Sequence, residues 1–483
     1  MTKRDQNRTL IVEALSDQVN QRIVSFDVPG HKQGKGNPLL RDFLGDKAIQ
    51  YDLNSRKPLD YLCSPTGVIL EAEEIATEAF GAGHAFFIVG GTTAAVQTMV
   101  MSACKQGDKI ILPRNVHRSA INALILTGAI PIYVNPGIDE KLGIGLGMSK
   151  ADIEEAILAN PDVKAVFVNN PTYYGICGDL KGIVEIAHRH GVKVLVDEAH
   201  GTHFYFGDDL PISAMAAGAD MAAVSMHKTG GSLTQSSFLL IKDAASTSYV
   251  RSILNLTHTT SGSYLLLASL DIARKHLALE GKIVFKKVSD LTRYAREEIR
   301  KVKGYIPFDE ELINGDTIFN VDPTKFSIFT RDIGLTGIEI ADILRDEYDI
   351  QIEFGDLGNI LAIISVGDTA LKVERLLGAL TDIKRKYAKD PAGMLTQEYI
   401  QPLVVKTPRE AFYTPSITVS LDDAIGKVSA ESVMAYPPGI PICAPGELIT
   451  KEIVEMIHYA KSKGSFITGP KDTSIATIDV LED

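Results

Sequence analysis

Val192-Lys193-Val194-Leu195-Val196-Asp197-Glu198-Ala199-His200-Gly201 joins a nearly continuous apolar run to two acids, a histidine and a glycine. The run suits a strand buried on both faces, where no side of the chain meets water. Six more runs of this kind occupy residues 85–89, 109–112, 131–134, 164–168, 221–224 and 238–241. Amphipathic stretches such as 153–159 and 181–190 lie between them. Strand–helix alternation of this kind predicts an α/β fold with a mostly parallel, seven-stranded sheet covered by helices. Ligands on such sheets sit outside the carboxyl ends of the strands, which is where the polar motifs of this chain fall.

The bulk properties narrow the class. The chain has 483 residues, enough for two or three domains with a large core. It carries 49 Lys plus Arg against 61 Asp plus Glu, a net charge of −12, which argues against a nucleic-acid footprint. Cys63, Cys104, Cys177 and Cys443 form no CxxC pair and read as free thiols of a reducing cytoplasm, with no metal site expected. The N-terminal stretch lacks the apolar segment of a signal peptide, and no run of 18 apolar residues predicts a membrane span.

Five motifs at strand ends carry chemistry. Ser225-Met226-His227-Lys228 places a lysine after one strand, and Asp197 ends another. A lysine can form an imine with an aldehyde cofactor, and an acid in apolar surroundings needs a cationic partner such as a pyridinium N–H. That pairing points to pyridoxal phosphate. Gly90-Gly91-Thr92-Thr93 follows a strand and opens a helix, a site for phosphate or an ordinary Gly-rich turn. In Arg114-Asn115-Val116-His117-Arg118-Ser119, His117 is placed to stack on a flat ring and Ser119 to cap the helix over 120–127. Asn169-Asn170-Pro171-Thr172-Tyr173-Tyr174-Gly175 reads equally as a ligand crevice or a turn.

Together with Pro29-Gly30-His31-Lys32 and Tyr436-Pro437-Pro438-Gly439, these motifs resemble the prokaryotic ornithine/lysine/arginine decarboxylases, most of all the short Bacillus-type biosynthetic arginine decarboxylases. The resemblance implies a fold-type I pyridoxal phosphate enzyme with an aspartate-aminotransferase-like large domain and smaller α+β C-terminal domains. It implies an arm at 1–50, a cofactor-binding domain at 51–290, a small domain at 291–390 and a decarboxylase-type domain at 391–483. Lys228 would hold the cofactor, Asp197 its ring nitrogen, and His117 and Ala199 its two faces. Gly91, Thr92, Thr93, Ser225 and His227 would take the phosphate. His200 would lie near the phenolic oxygen or the substrate. Thr260 and Ser261 would reach the phosphate of a neighbouring subunit, making the active unit at least a homodimer.

The implied reaction is arginine to agmatine and carbon dioxide, a step of polyamine synthesis in the cytoplasm, with lysine or ornithine as the nearest alternative substrates. The resemblance offers Glu447 as the acid for the cationic side chain; the residues themselves equally allow it to cap a helix starting near Ile449. Where the family has Asp-Asp-Leu-His, this chain has Asp60-Tyr61-Leu62-Cys63; Asp52-Leu53-Asn54-Ser55-Arg56 also departs, and Gly90 replaces a frequent Asn. These departures bear on substrate choice. An aminotransferase using Arg331 for the α-carboxylate, or a non-catalytic cofactor-binding regulator, are the competing readings.

Overall fold

The computed structural model describes residues 4–391, 402–435 and 439–482. Residues 392–401 and the Tyr436-Pro437-Pro438 stretch of the motif quoted above lie outside the described residues.

All seven expected runs form strands of one sheet: β1 (His84–Ile88), β2 (Lys109–Pro113), β3 (Ile130–Val134), β4 (Ala165–Asn169), β5 (Lys193–Asp197), β6 (Met221–Val224) and β7 (Ser237–Ile241). Their order is β1-β7-β6-β5-β4-β2-β3. β2 pairs in parallel with both β3 and β4, and β5 with β6. β7 runs antiparallel to β1 and β6, so the sheet is mostly parallel with one reversed strand. Every residue of β1, β6 and β7 is buried, which explains why these strands show no alternation of polar and apolar positions.

The helices follow the expected amphipathic stretches. They include α1 (Leu10–Asn20), α2 (Val68–Ala79), α3 (Gly91–Ala103), α4 (Arg118–Thr127), α5 (Lys150–Ala159), α6 (Leu180–Arg189), α7 (Thr247–Thr257) and the 38-residue α8 (Tyr264–Lys301). Gly128 ends α4 in the left-handed region at φ 74°, a conformation a Cβ would strain. Beyond α8, β8 (Ile306–Pro307), β9 (Lys325–Phe329), β10 (Phe354–Gly355) and β11 (Asn359–Ile363) make an antiparallel sheet in the order β8-β9-β11-β10. It carries α9 (Gly337–Tyr348), which opens on a Thr336–Glu339 capping box, and α10 (Ala370–Tyr387). The C-terminal part contains β12 (Ser416–Ser420), β13 (Val433–Ala435), β14 (Ile440–Cys443), α11 (Lys451–Ser462), β15 (Ile467–Thr468) and β16 (Thr477–Leu481). α11 is the last helix, and the two strands β15 and β16 follow it.

The chain divides into two compact units. One comprises Met1–Ser102 and Leu195–Phe285; the other comprises Ala103–Val194 and Lys286–Asp483. In the first, α2 packs on β1, and Phe238 meets the rings of Phe80 and Phe87 at 5.0 Å each. In the second, α5 packs against β2 and β3, and a separate apolar core holds the C-terminal strands around α11.

Candidate active site

In the first unit three strand ends bring the expected residues together. β5 ends at Asp197. β6 ends at Val224, and Ser225 precedes a one-turn helix, Met226–Thr229, that carries Lys228. Lys228 Nζ lies 2.8 Å from Nε2 of the buried His200. Burial pushes the Asp197 carboxyl above its ordinary range, while the charge of Lys228 and the Ala199 N–H donating to Oδ1 at 3.1 Å pull it down. An acid so placed gains most from a cationic partner.

The turn expected to take the phosphate is built from side chains as well as backbone. β1 ends at Ile88, Gly91 takes φ 70°, and thirteen-residue α3 begins there, with the free N–H groups of its first turn. Thr92 Oγ1 is in short contact with Ser225 Oγ and lies 2.7 Å from Ser237 Oγ. Thr93 is exposed one residue further on. His227 Nδ1 donates to the Ser236 carbonyl at 3.1 Å, which fixes its ring beside Ser225. Ala199 is half-buried after the β5 end. Thr260 and Ser261 are exposed on the loop between α7 and α8, where the Ser261 N–H donates to Thr259 Oγ1 at 3.1 Å. An amine, a half-buried acid, and hydroxyls at a helix N-terminus within one unit fit an aldehyde cofactor with a pyridine nitrogen and a phosphate.

Structure also explains the stretch that departs from the family pattern. His31 Nε2 donates to Asp52 at 3.0 Å, and Arg56 pairs with Asp27 at 2.9 Å. Asp60 accepts four backbone N–H groups, from Tyr61, Thr66, Gly67 and Ile69, at 2.7–3.2 Å, and so closes the loop into α2. Cys63 is buried and its thiol donates to the Thr259 carbonyl at 3.6 Å. The retained acids of this stretch thus serve local structure, and Cys63 supports the Thr260–Ser261 loop.

The second unit holds His117, Arg114 and Glu447. His117 itself is the N-cap of α4: its Nδ1 accepts from the Ser119 N–H at 3.2 Å, with Ser119 Oγ at 2.9 Å. The expectation that Ser119 caps this helix is corrected; Ser119 lies inside the first turn. Glu447 is 2% exposed and its carboxylate pairs with the buried Arg114 at 2.7 Å and accepts the Ala444 N–H at 2.8 Å. Arg114 also donates to the Pro441 carbonyl at 3.1 Å. Glu447 is therefore neither open to a substrate cation nor a helix cap; α11 begins at Lys451 and is capped by Thr450. Sequence reading missed this pair because nothing in the spacing of 114 and 447 links them.

Asn169 and Asn170 hold backbone, donating to the Asn115 carbonyl and accepting the Gly178 N–H. Tyr173 donates to Glu353 at 2.6 Å, and Tyr174 to Asp356. Arg331 opens a 3-10 turn with its guanidinium 5.8 Å from the Phe329 ring centre. Among the described residues no cluster of His, Cys, Asp or Glu could hold a metal ion, and no helix is long and apolar enough to cross a membrane.

Comparison with known proteins agrees with this geometry. Residues 9–372 match the major domain of the Orn/Lys/Arg decarboxylases, and residues 395–468 match their C-terminal domain. The arginine decarboxylase of Bacillus subtilis is 44% identical over 99% of each chain. That of Bacillus anthracis is 43% identical over 100% of this chain and 99% of the relative. Among solved structures, the lysine decarboxylase of Francisella novicida superposes with a TM-score of 0.85 at 23% identity, over 98% of this chain and 81% of the other. The constitutive lysine decarboxylase of Escherichia coli gives 0.84 at 23% identity, over 99% and 82%. At that identity the superpositions speak for the fold, and the sequence matches speak for descent. With a lysine and an acid at the ends of the adjacent strands β6 and β5, a Gly-Thr turn at the end of β1, and both domain types matched along the chain, this protein belongs to the Orn/Lys/Arg decarboxylase family.

Proposed function

We propose that this protein is a pyridoxal phosphate-dependent carboxy-lyase that converts arginine to agmatine and carbon dioxide. The observation that carries the reading is the Lys228–His200–Asp197 arrangement in a chain 44% identical, end to end, to an arginine decarboxylase. Lysine and ornithine are the nearest substitutes.

The bound cofactor supplies an electron sink for the electrons that carbon dioxide leaves behind. Lys228 would be the amine that holds the cofactor through its aldehyde. Asp197, raised by burial and in need of a cationic partner, would pair with a protonated ring nitrogen. Thr92, Ser225 and His227, with the first-turn N–H groups of α3, anchor the phosphate, and Gly91 lets backbone approach it. His200, at 2.8 Å from Lys228 Nζ, exchanges a proton with it, so either group can return the proton to Cα. Ala199 and His117 are assigned to the faces of the ring, and Thr260 and Ser261 to a neighbouring subunit's phosphate in a homodimer. Glu447 is assigned to Arg114, not to the substrate.

The test incubates purified protein and pyridoxal phosphate with arginine, lysine or ornithine and measures carbon dioxide and amine together. Agmatine and carbon dioxide from arginine are expected. A keto acid without carbon dioxide would replace this reading with transamination, and neither product would leave a binding protein.

A further inference from the structure

His258 lies outside every motif read above, yet it touches the phosphate turn. It follows α7 and is 7% exposed. Its Nε2 accepts the Val89 N–H at 3.0 Å. Val89 is the residue between the end of β1 and Gly90-Gly91-Thr92, and the β1–β7 ladder stops at Ile88. The turn is tied again at Gly91, whose N–H donates to the Gln235 carbonyl at 2.9 Å. Between these two anchors Gly90 has no side chain; a Cβ there would lie 3.0 Å from the Ala94 Cβ and 3.6 Å from His258 Cδ2. The imidazole thus packs where the backbone bends toward the Thr92 hydroxyl.

We propose that His258 is a positioning residue for the cofactor phosphate: it sets the Val89–Thr92 turn by accepting the Val89 N–H, and it joins that turn to the Thr259–Ser261 loop. The proposal rests on the pyridoxal phosphate reading above. To accept at Nε2 the ring must be neutral with its proton on Nδ1, a buried atom with no hydrogen-bond partner among the described residues. Burial first, and then the charge of Arg251, favour that neutral ring, against the opposing charge of Glu73. The ring's next neighbour in sequence, Thr259, receives the Cys63 thiol, so the loop is held from two sides. One side chain therefore fixes the turn for this subunit's phosphate and the base of the loop assigned to a neighbour's.

The test compares two amides of different reach. The Gln side chain places an acceptor near Nε2, whereas the Asn side chain places one near Nδ1. His258→Gln is expected to bind pyridoxal phosphate within about threefold of the parent, and His258→Asn about tenfold or more weaker, read by titrating the absorbance of the lysine-bound cofactor. Apoprotein unfolding midpoints of the two variants are expected to agree closely. Equal cofactor affinity in the two variants, at any level, would overturn the proposal, as would loss of the folded apoprotein in both. A parent protein that forms no lysine-bound cofactor would instead overturn the function proposed above.

Discussion

Burial acts on neighbouring acids here with different results. Asp197 is half-buried at the end of β5 and faces Lys228, whereas Glu198 points the other way, is fully buried, and accepts from Tyr205 and from the Ala214 N–H at 2.9 Å. Burial raises the Glu198 carboxyl to about 8. A carboxyl raised in the folded state holds its proton there while the unfolded chain has lost it. Its contribution to stability is present below the unfolded value and is lost as pH rises through about 8. Glu198→Gln is therefore expected to gain stability relative to the parent as pH rises from about 5 to about 8, by roughly 1.4 kcal/mol per unit, and to gain no more above that, seen in apoprotein unfolding midpoints. Lys228→Ala is expected to abolish turnover and the absorbance of lysine-bound cofactor; full activity in that variant would refute the catalytic assignment. Lysine and acid were legible as residues because strand ends in this fold class host ligands. His200 was legible as a sequence neighbour of Asp197, but its 2.8 Å contact with Lys228 was not.

Elements hold these residues in place through buried polar contacts. The Arg114–Glu447 pair ties the segment after β2 to the turn before α11, with both side chains almost out of water. Removing one partner strands the other charge, so Glu447→Ala is expected to cost about 3–5 kcal/mol in unfolding free energy. A substrate receptor would instead show a raised KM for arginine in Glu447→Gln with stability unchanged. In the first unit, Phe238 on β7 fills the space between Phe80 and Phe87. Phe238→Ala is expected to cost about 3–5 kcal/mol through the cavity it leaves, measured by denaturant unfolding. Strand existence was clear from apolar runs, since a strand buried on both faces has no polar side. Pairing direction was not: β7 has the same composition as its neighbours but runs antiparallel.

At the scale of the whole molecule, the exposed Thr260–Ser261 loop is assigned to a second copy of the chain. A mixture of Lys228→Ala subunits with Thr260→Ala/Ser261→Ala subunits, each poorly active alone, is expected to regain activity. Each mixed dimer would then contain one site with an intact lysine and an intact loop. No regain on mixing, with dimers demonstrated by sedimentation, would place that loop outside the active site.

The order of apolar runs and the motif at each strand end, read from sequence alone, determined the α/β class and the family, and singled out the lysine and acid proposed to hold the cofactor. Those signals are local: a buried strand needs apolar residues in succession, and a reactive group must follow it within a few positions. Only the tertiary structure decided which acids were free. Glu447 is neutralised by an arginine 333 positions away, Asp60 is spent on backbone amides, and His258 meets the phosphate turn from 169 positions away. Such partners are chosen by packing and by the cost of burying an unpaired polar group, and neither leaves a periodic trace along the chain.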